Sequence, residues 1–343
     1  MREVILLAAG GTISSVEGAA GRPGATPQLD GAALAAALPD GVRVEARSLR
    51  AVNGSQLTTA DVHELAAAAV AETAGGRGVV VTSGTDTIEE LAVLFDACNG
   101  HEPPIVVTGA IRPASSPGAD GPANLVDAVA AAAAPATGHT GALVAFAGEL
   151  HAARGVRKVD STMPHAFGSP RGGPIGRVAE GRVDLFARPV RPERALAPAH
   201  LDFRVPIVGT WLGDDGELLR AALGLRPDGL VLVALGAGHL PPPTLHALRA
   251  APAELPVALV VRPERGHALR STYGFEGSER DVLAEGVIEA ASLSPAAARM
   301  LLLAGLGAGL SREELREHLG GERVSLPPRA GVAHDRGSSG EDE

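Results

Sequence analysis

Lys158 is the single lysine among the 30 basic residues of this chain, and it stands in the stretch ARGVRKVD, residues 153–160. Arginine keeps its proton in a protein, whereas a desolvated lysine can release one. A site that needs a neutral amine near neutral pH must therefore use lysine. Two other stretches bring hydroxyls that such an amine could serve. AAGGTISS, residues 8–15, presents Thr12 behind two glycines, and VVVTSGTDTIEE, residues 79–90, offers Thr82, Ser83, Thr85 and Thr87 beside Asp86. Lys158 brought against Thr85 and Asp86 makes an amine, a hydroxyl and an orienting carboxylate, which is the generalised triad of nucleophilic catalysis. The plainer readings are a solvated surface lysine and an N-cap at Asp86 or Thr87 with Glu89 or Glu90 in the first helical turn. Capping leaves Thr82 and Thr85 unexplained.

A further polar stretch, NGSQLT at residues 53–58, precedes the helical pattern TADVHELAAAAVAET. Ser55 and Gln56 could donate to a carboxylate from a loop shaped by Gly54, or serve as a capping turn, since both uses need the same residue types. The pair Gly10-Gly11 lets the backbone turn sharply before Thr12. It lacks the GxGxxG spacing and the GK[ST] ending of nucleotide cradles. VHEL is not followed by a second histidine at zincin spacing, and the other histidines are scattered, so no metal site is expected. Cys98, the one cysteine, lies in the apolar run LAVLFDAC and reads as a buried, inert thiol.

These residues must be held at the ends of strands. Short apolar runs (EVILLAA, GVVVTS, PIVVTGA, ALVAFAG) alternate with alanine-rich helical segments, the pattern of a parallel sheet covered on both faces. In such sheets ligands bind outside the carboxyl ends of the strands, where Thr12 and Thr85 fall. The expected fold class is α/β, with a larger N-terminal doubly wound parallel-sheet domain and a smaller C-terminal α/β domain. Boundaries are expected at 1–190 for the catalytic domain, 191–206 for a linker in the proline- and arginine-rich segment, 207–327 for the second domain and 328–343 for a disordered polar tail.

Composition narrows the classes of function. The net charge of −10 argues against a surface that tracks nucleic-acid phosphates. Aromatic residues make up only 2%, so the core must be aliphatic. The start MREVILLAAGG runs directly into a strand pattern, and the late apolar run 300–310 falls short of the roughly 20 residues of a membrane helix. A cytoplasmic protein without membrane or nucleic-acid partners is expected.

Together these motifs resemble the L-asparaginase family of bacterial threonine amidohydrolases. The resemblance rests on AAGGTISS, VVVTSGTDTIEE, VVTGAIRPASSPGADGPANLVDAV at 106–129 and ARGVRK, and it continues through YGFEGSERD and LSPAAARMLL within 273–302. It implies hydrolysis of L-asparagine to L-aspartate and ammonia without a cofactor, by a homodimer or homotetramer. By the same resemblance Thr12 is the primary nucleophile, Thr85, Lys158 and Asp86 form a second triad, and Gly11, Ser55, Gln56, Gly84 and Asp86 contact the substrate. His239, in GAGHL, becomes a candidate to complete the pocket of a neighbouring subunit. The family's loop after the first threonine carries an activating tyrosine. Here that loop, 16–31, has none, the one tyrosine being Tyr273, and Thr26 stands near the corresponding place. A glutaminase-leaning enzyme and a non-catalytic amino-acid-binding regulator are the alternatives.

Overall fold

All seven positions of β1 (Val4–Gly10) are buried, and the reason is layering: helices cover both faces of the sheet it belongs to. Alternate residues feed two cores. Ile5, Leu7, Val79, Val81, Ile105 and Val107 face one apolar layer; Leu6, Val80, Val106 and Leu143 face the other. The near-continuous apolar reading of these strands follows from that double burial. The computed structural model describes residues 2–18, 24–39, 42–290 and 293–320.

After β1 come β2 (Ser15–Glu17), β3 (Ala25–Pro27), α1 (Gly31–Ala36), β4 (Glu45–Val52), α2 (Thr59–Ala74), β5 (Gly78–Thr82) and α3 (Ile88–Cys98). The chain continues through β6 (Ile105–Thr108), α4 (Gly121–Ala133), β7 (Ala142–Phe146), β8 (Glu149–Ala152), β9 (Arg157–Lys158), β10 (Phe167–Gly168), β11 (Gly176–Ala179) and β12 (Arg182–Leu185). A second set follows: β13 (Ile207–Gly209), α5 (Glu217–Gly224), β14 (Leu230–Ala234), α6 (Pro242–Arg249), β15 (Val257–Val261), α7 (Glu279–Ala284), β16 (Ile288–Glu289), α8 (Pro295–Gly307) and α9 (Arg312–Gly320).

Eight strands form the larger sheet in the order β12-β11-β8-β7-β6-β5-β1-β4. Its members from β4 to β7 run parallel, as the alternation of apolar runs and helices predicts. The strands β8, β11 and β12 extend it antiparallel. Sequence patterning does not foresee that edge, because β12 alternates between exposed and half-buried residues and β11 is only half apolar. The smaller sheet, β13-β14-β15-β16, is wholly parallel. Helix α8 joins the two: Met300 to Ala304 lie in one continuous core with Phe95 of α3 and with Val231 and Val260 of the smaller sheet.

The segment between β12 and β13, residues 186–206, contains no helix or strand. The expected tail, 328–343, and the last residues before it lie outside the described residues. Among the described residues no helix is long and apolar enough to cross a membrane. After β1, the short strands β2 and β3 pair antiparallel with Val16 opposite Thr26.

One topological feature positions the site. The neighbours β1 and β5 send the chain in opposite directions, β1 toward β4 on one side and β5 toward β6 on the other. Their carboxyl ends therefore open a crevice at the switch point of the sheet.

Candidate active site

The crevice is built by backbone approaching backbone. Gly11 has φ +83° and ψ −174°, a conformation closed in practice to residues with a side chain. A Cβ there would lie 2.3 Å from the nitrogen of Gly84, and one on Gly84 would lie 2.3 Å from the nitrogen of Gly54. The loops after β1, β4 and β5 thus touch through glycines. Gly11 N–H donates to Val52 O at 2.9 Å, which ties the first of these loops to the end of β4.

Each loop then opens into a short 3-10 turn: Thr12–Ser14, Gly54–Gln56 and Thr85–Thr87. The first N–H groups of a helical turn have no partner within it. Thr12 and Thr85 each stand first in their turn, so hydroxyl and backbone donors share one rim. Lys158 reaches the rim from β9, which is held by pairing with β10, Phe167 opposite Lys158. Its Nζ donates to Thr85 Oγ1 at 2.9 Å and to Asp86 Oδ1 at 2.8 Å. The lysine side chain is 19% exposed and the Asp86 side chain 63%, so the ion pair has one half-buried and one wet partner.

A cavity of about 300 Å³ lies over this constellation, lined by Thr12, Asn53, Gly54, Ser55, Gly84, Thr85, Asp86, Ile111, Lys158 and Ser161. Six of the residues singled out from sequence therefore share one cavity: Thr12, Ser55, Gly84, Thr85, Asp86 and Lys158. Gly11 is not among its lining residues and acts through the turn that presents Thr12. Gln56 is not among them either. Its Oε1 accepts from the Asn53 N–H at 3.0 Å, so the side chain serves the capping turn, one of the two readings that NGSQLT suits equally. Thr26 is also absent from the lining.

Helix capping does not account for the hydroxyls after β5. Thr87 occupies the N-cap position of α3 without a side-chain cap hydrogen bond, and its Oγ1 is buried without a partner. Thr82 and Ser83 likewise bury unpaired hydroxyls behind the rim. Ile111, Asn53 and Ser161 are not picked out from sequence, and Gly54 only as the residue that shapes its loop. Asn53 and Gly54 adjoin Ser55, and Ser161 follows Lys158 by one turn of chain, so proximity to the motifs was the available signal; Ile111 gave none.

The block after β6 is structural, as its turn chemistry suggests. The Asp120 carboxylate accepts from the N–H groups of Ile111 and Arg112, at 3.0 Å and 2.8 Å, and Asn124 Nδ2 donates to Gly109 O at 3.0 Å. This clamp holds Ile111 against the cavity. Among the described residues no cluster of histidine, cysteine and acidic groups could hold a metal ion.

His239 lies in the smaller domain. Its Nε2 is 3.3 Å from the carboxylate of Glu279, and its ring meets Tyr273 and Phe275 edge-on at 5.1 Å each. Glu279 is fully buried, its Oε1 accepting from the N–H groups of Thr272 and Tyr273 at 2.7 Å and 2.8 Å. The imidazole thus lies against an acid that the loop itself fixes, with no hydrogen bond between the facing atoms.

Comparison with known proteins places this architecture. The family description "Asparaginase, N-terminal" matches residues 3–191, and "Glutaminase/Asparaginase C-terminal domain" matches residues 204–319. The chain is 40% identical over 318 residues to a probable L-asparaginase of Deinococcus radiodurans, covering 91% of this chain and 95% of that protein. It is 31% identical over 310 residues to the L-asparaginase of Bacillus licheniformis, covering 88% and 94%. Among solved structures, the probable cytoplasmic L-asparaginase of Campylobacter jejuni superimposes with a TM-score of 0.80 at 26% identity, over 93% of this chain and 99% of that one. With both halves of the chain matched and the threonine-bearing turns meeting at one switch point, this protein belongs to the L-asparaginase family.

Proposed function

We propose that the protein hydrolyses L-asparagine to L-aspartate and ammonia through a threonine nucleophile, with Thr85, Lys158 and Asp86 as its proton-handling triad. One observation carries this reading: the only lysine of the chain donates to Thr85 Oγ1 at 2.9 Å and to Asp86 Oδ1 at 2.8 Å inside a cavity that also receives Thr12.

The chemistry follows from what an amide requires. Its carbon is a weak electrophile, so the tetrahedral oxyanion must be stabilised and the departing nitrogen protonated. Thr12 Oγ1 attacks the side-chain carbonyl, and the N–H groups at the starts of the two 3-10 turns hold the oxyanion. One such donor is generally worth about 2.7–4 kcal/mol. Ammonia leaves with the proton that Thr12 gave up, and a water then cleaves the acyl ester to give L-aspartate and regenerate the hydroxyl. Asp86, the wet partner of the ion pair, also faces the substrate's α-ammonium. Lys158 with Thr85 shuttles the proton and activates the later water. Ser55 holds the α-carboxylate.

The likeness to the Deinococcus and Bacillus proteins supports asparagine as substrate, since both carry that activity in their descriptions. Assembly as a homodimer or homotetramer belongs to the same reading, with His239 entering the neighbouring subunit's pocket. A cytoplasmic location is supported by the description of the Campylobacter neighbour, whereas a Haemophilus influenzae relative is described as periplasmic. Cell fractionation decides between them.

The test measures ammonia release from asparagine and glutamine side by side in the wild type, Thr12→Ala and Lys158→Met. Each substitution is expected to lower kcat by roughly 10²–10⁴-fold with the fold retained, the range of a lost acid–base or nucleophilic group. Full activity in both variants refutes the triad. Faster release from glutamine refutes the asparagine preference, and a silent wild type that binds aspartate tightly identifies an amino-acid-binding regulator instead.

A further inference from the structure

Directly behind the rim, the first turn of α3 carries two adjacent carboxylates, Glu89 and Glu90, and each encloses one oxygen, Oε2, with no hydrogen-bond partner. Across from them β9 carries Arg157, next to Lys158 in the chain, and its Nη2 is enclosed without an acceptor. Unmet donors and acceptors are rare in a protein interior, and here they gather on both sides of the catalytic constellation. The helix that follows Thr85 and Asp86 bears the acids; the strand that bears Lys158 bears the cation. We propose that Glu89 and Glu90 are positioning residues for the Lys158–Asp86–Thr85 constellation, acting through Arg157 and through the negative field they set behind the ammonium. The proposal rests on the asparaginase reading for its assay and adds residues to which that reading gives no role.

The surroundings of the pair are specific. Glu89 feels Arg157 from β9 and the hydroxyl of Ser294 at the start of α8; Glu90 feels Glu89, Arg299 of α8 and Asp86. Arg157 also feels Glu264, from the loop after β15. Arg299 is partly spoken for, since its Nε donates to Val205 O at 2.9 Å. The two acids therefore face Arg157, which they share with Glu264, and the partly engaged Arg299. Burial first, and the neighbouring Glu89 second, push the Glu90 carboxyl up to about 7, while burial also raises Glu89. Near neutral pH the pair thus holds a proton, and its loss places a further negative charge behind Asp86 and Lys158.

Two kinds of variant test this. Glu90→Gln copies the protonated acid, so its kcat/KM should match the wild type within about twofold near pH 5.5 and diverge above about pH 8, where only the wild type gains the charge. Arg157→Met should lower kcat about tenfold or more with KM little changed, and Arg157→Lys should recover part of the loss, because a cation near Glu89 is restored. Circular dichroism and thermal melting confirm that each variant folds. Superimposable pH profiles for wild type and Glu90→Gln, or full kcat in Arg157→Met, overturn the proposal. A readout without turnover separates this result from failure of the asparaginase reading: the Glu90 carboxyl resonance, assigned by its loss in Glu90→Gln, should titrate near neutral pH. Titration in the ordinary carboxylate range, near pH 4.3, overturns the inference whatever the substrate.

Discussion

Replacing Gly11 by alanine adds one methyl group and should disable the site. Two costs arise. The residue sits at φ +83° and ψ −174°, a region that costs a residue with a side chain about 1–3 kcal/mol. The new Cβ would also lie 2.3 Å from Gly84 N, 2.5 Å from Ser83 C and 2.6 Å from Gly84 Cα, all backbone atoms that no rotamer change can move. Ordinary contact begins at 3.4 Å, so the β1 and β5 loops must part by the difference between 3.4 Å and 2.3 Å. Overpacking of that kind costs about 1–3 kcal/mol more. The sum, about 4 kcal/mol, corresponds to a fall in Tm of roughly 8–16 °C for a domain of this size. Catalysis should suffer separately, because a displacement on the order of 1 Å between reacting groups costs about 10²-fold. Gly76→Ala is the control: Gly76 has φ +86° but no atom within 4 Å of its would-be Cβ, so it carries strain without collision. It should lose about 1–2 kcal/mol and keep full kcat. Differential scanning calorimetry and an ammonia assay on the two variants decide the matter. A Gly11→Ala protein that melts like Gly76→Ala and turns over like the wild type refutes the argument that glycine contact aligns the two threonines.

Three further outcomes follow from individual side chains. Thr85→Val keeps volume but removes the oxygen that accepts from Lys158; kcat should fall by roughly 10²-fold or more while Tm moves little, since the lysine keeps its Asp86 partner. The thiol of Cys98, 8% exposed and pushed up to about 12 by burial and then by Asp96, should not react with a disulfide reagent at about pH 8 until denaturant is added. His151 and Glu90 should produce opposing pH slopes in stability. Burial lowers His151 to about 4, so its stabilising effect is complete above the ordinary histidine value near 6.5 and is lost as pH falls toward 4; Glu90, raised to about 7, disfavours folding progressively as pH rises from about 4.5 to 7. Each group is worth about 3 kcal/mol over its window, so between about pH 4.5 and 6.5 the Tm of Glu90→Gln should rise relative to that of the wild type; parallel Tm curves for the two proteins contradict the assignment.

The residues of the candidate site are legible because their types are unusual where they stand. A lone lysine in an arginine-rich chain and four hydroxyls at the mouth of an apolar strand are local facts, and the sheet that gathers them is announced by apolar runs of strand length. What was not legible depends on contacts between distant backbones. Nothing in NGSQLT says that Gln56 will turn back to Asn53 while Ser55 faces the cavity, because both side chains suit either task. The antiparallel edge β8-β11-β12 escaped because short strands that are half exposed lack the apolar signature of the central ones.

The buried acids show a subtler limit. Glu89 and Glu90 looked like ordinary first-turn residues at a helix N-terminus, where acids favour the dipole. That account suits exposed carboxylates and needs no partner. It does not explain why the carboxylates should be largely enclosed, with one oxygen each unpaired, behind the very turn that carries Thr85 and Asp86. Desolvating two like charges side by side is costly. A dipole contribution of about 0.3–1 kcal/mol, the usual value near the surface, does not offset it. Helix α8 lies against the pair with Ser294 and Arg299, and of the neighbours that belong to the site the strand of Lys158 and the turn of Asp86 are the ones positioned to receive a compensating role.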